Sequence, residues 1–375
     1  MEKLPLLLIE LTTGAKGLQH VGSRGMAPTL AGPRFAIITG ANRPSIGFRA
    51  AELLAAAPHR FRVILACRDA GRGLQAQSDI RAAHPDAWVQ YLPLDLASLS
   101  SVRAFVDTFR RIEDGEPRRV GLSLLVCNAG VGFGRDTTRR VTADGFEERL
   151  GVNHLGHFLL TNLLLPDLQR SREARVVVVS SSLHNGAGHG SNARPVTMDL
   201  EDPQLAAPGA YEVGIAYRRS KLANLLFAYE LKRRLTASGC STVHVSALSP
   251  GFIPATGLVR EAGPLGIFFL RHILDGLLKW IGLVSFTRTV DDGAHCIVLC
   301  ATSGAAVDGG YHQLERDGVT LTAVESSTES CDEAKAKALW TLSAKLTAAQ
   351  GSVADLTSLS PPRGGQGERS QQELL

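Results

Sequence analysis

"FAIITGANRPSIGFRAAELL", Phe35 to Leu54, decides the fold. An apolar, strand-like run enters a glycine-bearing turn, and the turn enters a stretch whose apolar residues recur at helical spacing. Gly40 can adopt a backbone conformation closed to other residues, and Gly47 lets the start of the helix approach a pyrophosphate closely. One such turn is weak evidence alone, so the rest of the chain has to repeat the unit. It does. "FRVILAC", "WVQYLPL", "LSLLVCN", "RVVVVS" and "TVHVSALS" read as further strands, with "GGYHQL" near Tyr311 as a seventh candidate. Helix-patterned stretches such as "SSVRAFVDTFRRI" and "LANLLFAYELKRRL" fall between them. The order predicts an α/β fold, a single-domain, doubly wound parallel sheet with helices on both faces. The strand runs are nearly continuous in apolar residues, as strands covered on both sides require.

The chain of 375 residues is 44% hydrophobic and 20% charged, an ordinary globular composition. Net charge is +4 and the basic residues are not pooled, which argues against nucleic acid as a main partner. The six cysteines show no CxxC pair and point to a reducing, intracellular compartment. "HCIVLC", His295 to Cys300, reads as one turn of a buried helix, and no metal site is expected. Residues 1–33 are acid-poor after Glu10 and suit either a transit segment or a disordered extension. The domain is placed at 34–350, followed by a disordered tail at 351–375.

In sheets of this kind a ligand binds outside the carboxyl ends of the strands. Strand two ends at Arg68, where an acidic residue would grip the ribose hydroxyls of NAD and an arginine instead suits the 2′-phosphate of NADP. Strand three ends in "LDLAS" with Asp95 and Leu96, and strand four in "CNAG" with Asn128, Ala129 and Gly130. Strand five ends in "SSS" and strand six in "SPGFIPATG". Tyr217 and Lys221, four positions apart, fall on one face of a helix. An ammonium beside a phenol favours the phenolate, so the Tyr217 pKa is expected to fall toward neutrality.

Taken together, Gly40–Gly47, "CNAG", "NHLGHF", Ser181, Tyr217-x-x-x-Lys221 and "SPG" resemble the short-chain dehydrogenase/reductase family over roughly Arg34 to Ala348. The resemblance implies a Rossmann-like domain and NADPH as cofactor. It implies that Tyr217 is the acid/base and that Lys221 tunes it and holds the nicotinamide ribose. Ser181 would bond the reacting group, with Ser180 and Ser182 as alternatives. Asn153 would hold a water that reconnects Lys221 to solvent, its alternative being a helix breaker. The cofactor would lie along Gly40, Asn42, Ser45, Ile46, Gly47, Arg68, Asp95, Leu96, Asn128, Ala129, Gly130, Lys221, Pro250, Gly251 and Thr256.

Within the family, "LDLASLSSVRAFVDTFRR", "ATGLVREAGPL" and "ESCDEAKAKALWTLSAKLTAA" are similar to the light-dependent protochlorophyllide oxidoreductases, and a plastid location goes with them. "ACRD", "GVNHLGHFLLTNLLL" and "SKLANLLF" are shared equally with retinol dehydrogenases, for which a cytoplasmic or membrane-associated location is the alternative. Phe252 stands where the pigment enzymes carry a cysteine, and Ser45 replaces the usual middle glycine of the turn. The first expectation is a protochlorophyllide reductase. A dark retinol or carbonyl reductase comes next, then a cofactor-bound pigment carrier without turnover. "PLGIFFLRHILDGLLKWIGLVSF", Pro264 to Phe286, is interrupted by Arg271, Asp275 and Lys279 on one helical face. It is expected to form an apolar lid over a large apolar substrate, with Phe269 and Phe252 against that substrate. Contact with a membrane surface and a homo-oligomer stay open.

Overall fold

The computed structural model describes residues 34–116, 121–132, 138–186, 196–253 and 287–348. Eight strands form one sheet: β1 (Phe35–Thr39), β2 (Arg62–Cys67), β3 (Val89–Pro93), β4 (Leu122–Cys127), β5 (Ala174–Val179), β6 (Val243–Leu248), β7 (Tyr311–Leu314) and β8 (Leu321–Ala323). Their order is β3-β2-β1-β4-β5-β6-β7-β8. The first seven pair in parallel, and only β8 is antiparallel. The doubly wound architecture is as the sequence predicts. The eighth strand is additional. Asp317 and Gly318 turn the chain back after β7, with the Asp317 carboxylate accepting from the Val319 and Thr320 amides at 2.9 Å each.

The helices are α1 (Ile46–Ala55), α2 (Ala70–Ala83), α3 (Leu99–Asp114), α4 (Gly156–Gln169), α5 (Val213–Ala237), α6 (Val290–Thr302) and α7 (Glu333–Leu346). Side-chain caps set several of their starts. Ser45, Asp69, Ser98 and Asp332 each accept from a backbone amide of the first turn, and Thr289 forms a full capping box with Asp292. Alternation along β1 sends Phe35 and Ile37 to one face and Ala36 and Ile38 to the other. The first face packs on α3, α4 and α5 and includes Phe105, Phe158 and Leu231. The second packs on α1, α2 and α6 and includes Leu54, Ile80 and Ile297. Cys296 and Cys300 are buried on α6, the helix turn that "HCIVLC" suggests.

The Pro264–Phe286 segment, Phe269 and Thr256 lie outside the described residues. So do residues 1–33 and 349–375. Among the described residues, no helix is long and apolar enough to cross a membrane.

Candidate active site

A cavity of about 880 Å³ runs along the carboxyl ends of β1 to β6. That volume falls within the range typical of ligand sites. Its wall includes Gly40, Asn42, Ser45 and Ile46 after β1, Arg68 after β2, Asp95 and Leu96 after β3, and Asn128–Gly130 after β4. Ser181 follows β5, Tyr217 and Lys221 come from α5, and Pro250, Gly251 and Phe252 follow β6.

The turn after β1 is held from inside. Gly40 sits at φ +68°, and a Cβ there would come within 2.9 Å of the Ala129 backbone, so only glycine fits. Ser45 compensates for the missing middle glycine: its hydroxyl donates to the Gly40 carbonyl at 3.0 Å and accepts from the Phe48 amide at 3.0 Å. Gly47 also has a packing role. It is buried and does not line the cavity. A Cβ at Gly47 would lie 2.3 Å from Asn128 Nδ2, which donates to the Thr39 carbonyl at 2.7 Å. The residue makes room for a side chain that ties β1 to β4.

At the β2 end two exposed cations, Arg68 and Arg72, share the wall with Asp69. The Asp69 carboxylate is committed to the α2 cap, accepting from the Arg72 amide at 2.8 Å. Arg72 went unassigned in the sequence, although a second arginine one turn into the helix after "CRD" was there to be read.

Three serines follow β5, and their environments differ. Ser180 is buried and donates to the Lys221 carbonyl at 2.7 Å, and the Ser182 amide donates to Ser249 Oγ at 3.1 Å. Ser181 is the one whose side chain acts on the Tyr217 phenol, lowering its pKa from the same cavity wall. Its own carbonyl is 2.6 Å from His184 Nδ1, whose Nε2 accepts from the Ser327 amide at 3.1 Å.

The expected depression of the Tyr217 pKa is not found. Burial pushes the phenol up to about 12, and the Ser181 side chain offsets only part of this. Burial also brings the Lys221 ammonium down to about 8. Lys221 Nζ donates to the Val179 carbonyl at 3.1 Å and lies 5.8 Å from the centre of the Tyr217 ring. Desolvation of both groups therefore outweighs their mutual effect.

Asn153 is fully buried in a π-helical turn, Leu150–Leu155, that leads into α4. Both hydrogens of its side-chain amide are engaged. Oδ1 accepts from the Val131 amide at 2.7 Å, and Nδ2 donates to the Val131 carbonyl and to Ser220 Oγ at 3.0 and 2.9 Å. The amide therefore has no spare hydrogen for a water, and a water held here would have to donate to Oδ1 or to the backbone carbonyl.

The geometry fits a dinucleotide: a glycine turn opening a helix, two arginines at one end, and buried hydroxyl and ammonium groups at the other. At Gly130, between these ends, a Cβ would lie 3.2 Å from Asn153 Oδ1 and 3.5 Å from Lys221 Nζ.

A short chain dehydrogenase family model matches residues 34–193. Retinol dehydrogenase 14 of Mus musculus is 38% identical over 331 residues, covering 85% of this chain and 87% of the relative. Protochlorophyllide reductase A, chloroplastic, of Triticum aestivum is 35% identical over 326 residues, covering 83% and 79%. The WW domain-containing oxidoreductase of Danio rerio is 36% identical over 312 residues, covering 83% and 67%. Among solved structures, an uncharacterised protein from Mycobacterium Paratuberculosis superposes with a TM-score of 0.60 at 34% identity, covering 84% of this chain and 93% of that one. The Pseudomonas aeruginosa RhlG/NADP active-site complex gives a TM-score of 0.55 at 25% identity, covering 76% and 96%. With its turn, its strand ends and its serine, tyrosine and lysine in one cavity, this chain belongs to the short-chain dehydrogenase/reductase family of oxidoreductases.

Proposed function

We propose that the chain is an NADPH-dependent reductase that converts a carbonyl to an alcohol on a large apolar substrate of retinoid kind. The observation that carries this reading is that Ser181, Tyr217 and Phe252 line one cavity, with the Ser181 side chain acting on the Tyr217 phenol. Two adjacent hydroxyls can hold one carbonyl oxygen, and one of them can protonate the alkoxide that forms. NADPH supplies the hydride when bound. Arg68 and Arg72 would hold its 2′-phosphate, and Lys221 its nicotinamide ribose. Ser181 orients the carbonyl, Tyr217 gives the proton, and Lys221 returns a proton to the tyrosine side.

NADPH should accordingly bind at least about tenfold more tightly than NADH, or about 1.4 kcal/mol, in parallel titrations. Equal affinities would remove the role given to Arg68 and Arg72.

A second reading, protochlorophyllide reduction in a plastid, draws on the wheat relative and on the three stretches similar to that branch. It asks Tyr217 to protonate a ring carbon and gives Ser181 no oxygen to hold. The test is to mix purified protein with NADPH and either retinal or protochlorophyllide, in darkness and under illumination. Retinal reduced at the same rate in both is the expected result. Reduction of protochlorophyllide in light alone, with retinal untouched, would put the second reading in place of the first.

A further inference from the structure

His157 is buried in the first turn of α4, four residues after Asn153, and no step above uses it. Its Nδ1 lies 3.0 Å from the Asn153 carbonyl and its Nε2 lies 2.8 Å from Thr39 Oγ1. Thr39 is the fully buried last residue of β1. Its hydroxyl oxygen accepts from the Asn128 and Ala129 amides at 2.9 and 3.0 Å. The imidazole therefore stands between two groups of elements. On one side are the ends of β1 and β4, which wall the cofactor side of the cavity. On the other is the π-turn, where Asn153 reaches Ser220 Oγ, which itself donates to the Tyr217 carbonyl at 2.7 Å.

The proton positions follow from the partners. A carbonyl only accepts, so Nδ1 must carry hydrogen. Burial holds the His157 pKa down at about 4, against the pull of the Asn153 carbonyl, and Lys221 nearby disfavours a second charge. At neutral pH the ring thus has one hydrogen, on Nδ1, and Nε2 accepts. The Thr39 hydroxyl then directs its hydrogen to Nε2 at 2.8 Å in preference to the Val126 carbonyl at 3.2 Å. The result is a directed chain: Thr39 donates to His157, and His157 donates to Asn153.

We propose that His157 is a positioning residue with two separable tasks: through Nε2 it fixes the cofactor-side loops after β1 and β4, and through Nδ1–H it fixes the Asn153 carbonyl and the turn that orients Tyr217 and Lys221. The second task rests on the reading of Tyr217 and Lys221 as the proton-transfer pair. The first does not.

The two tasks can be separated by amide isosteres. His157→Asn places an N–H near the position of Nδ1 and nothing near Nε2. His157→Gln can accept from Thr39 and leaves the Asn153 carbonyl unserved. His157→Leu removes both. For His157→Asn the expected result is NADPH affinity weakened about tenfold with kcat nearly kept, because one buried hydrogen bond is lost on the cofactor side only. For His157→Gln it is near-normal NADPH affinity with kcat lowered about tenfold. His157→Leu should show both losses. NADPH binding is read by fluorescence, kcat with retinal, and thermal stability alongside.

Asn and Gln variants that lose affinity and kcat together, in step with thermal stability, would reduce His157 to a packing residue. Variants unchanged in both would remove it altogether. If the wild type turns over no carbonyl substrate, the functional reading fails, and the NADPH arm alone still decides the first task. Should the variants not fold, the ¹⁵N histidine spectrum of the wild type remains. It must show the Nδ1–H form, and an Nε2–H form would overturn the chain.

Discussion

Tyr217→Phe is expected to lower turnover by about 10²-fold or more while NADPH binds almost as before. The ring stays, so the packing of α5 against the cavity is kept, and the only heavy atom lost is the Tyr217 hydroxyl oxygen, on which the Ser181 side chain acts. Because burial holds the phenol at about 12, Tyr217 carries its proton throughout the neutral range and is ready to donate in the reductive direction. What titrates nearer neutrality is Lys221, at about 8. Its sign is that of a cation: below that value it is charged and able to return a proton, and above it that capacity fades. The wild-type kcat for reduction should therefore be flat at neutral pH and decline as pH rises through about 8. Lys221→Ala should damage both NADPH binding and kcat, since it removes the ribose contact as well as the charge. Stopped-flow turnover and a fluorescence titration on the same preparations separate the two effects. A Tyr217→Phe enzyme with near-normal kcat would mean that another group gives the proton.

The strands were readable because a parallel sheet covered on both faces needs long apolar, β-branched runs, and "FAIIT", "FRVILAC" and "RVVVVS" supply them. The wall of the cavity was readable for a related reason. Strand ends that face a ligand carry small and polar residues where packing would otherwise ask for larger apolar ones. The sequence did not carry the environment of those residues. Spacing placed Tyr217 over Lys221 correctly, but it could not show that both are almost fully buried, and burial reverses the expected direction of the tyrosine's pKa. Asn153 was singled out from "NHLGHF" as the holder of a water, yet both hydrogens of its amide are spent on Val131 and Ser220, two partners that tertiary packing supplies. His157 in the same motif went unread, because a histidine in an apolar stretch gives no sign of what its two nitrogens will meet.

Gly47→Ala should weaken NADPH binding by well over tenfold and destabilise the fold by roughly 2–4 kcal/mol, large for the gain of one methyl group. The added Cβ would fall 2.3 Å from Asn128 Nδ2, 3.2 Å from Asn128 Cγ and 3.0 Å from the Gly40 carbonyl. The last is backbone of the turn and cannot swing aside. The amide cannot yield cheaply either, because Nδ2 is bonded to the Thr39 carbonyl at 2.7 Å. Moving it would leave a buried carbonyl unpaired and would shift Asn128, which lines the cavity beside Ala129 and Gly130. Gly71→Ala in α2 serves as the comparison. Its Cβ would meet only Asp69 Oδ1, at 3.5 Å, and alanine is the better helix former, so stability should hold or rise by up to about 1 kcal/mol. A double-mutant cycle identifies the clash itself. Asn128→Ala removes the obstructing amide, so Gly47→Ala in that background should cost markedly less than it does alone. Additive losses would mean that the amide is not what opposes the methyl group. Gly47→Ala with wild-type melting and wild-type NADPH affinity would show that neither the room for Asn128 nor an approach to pyrophosphate requires glycine there, whereas wild-type melting with weakened NADPH binding would return the reason to the pyrophosphate approach.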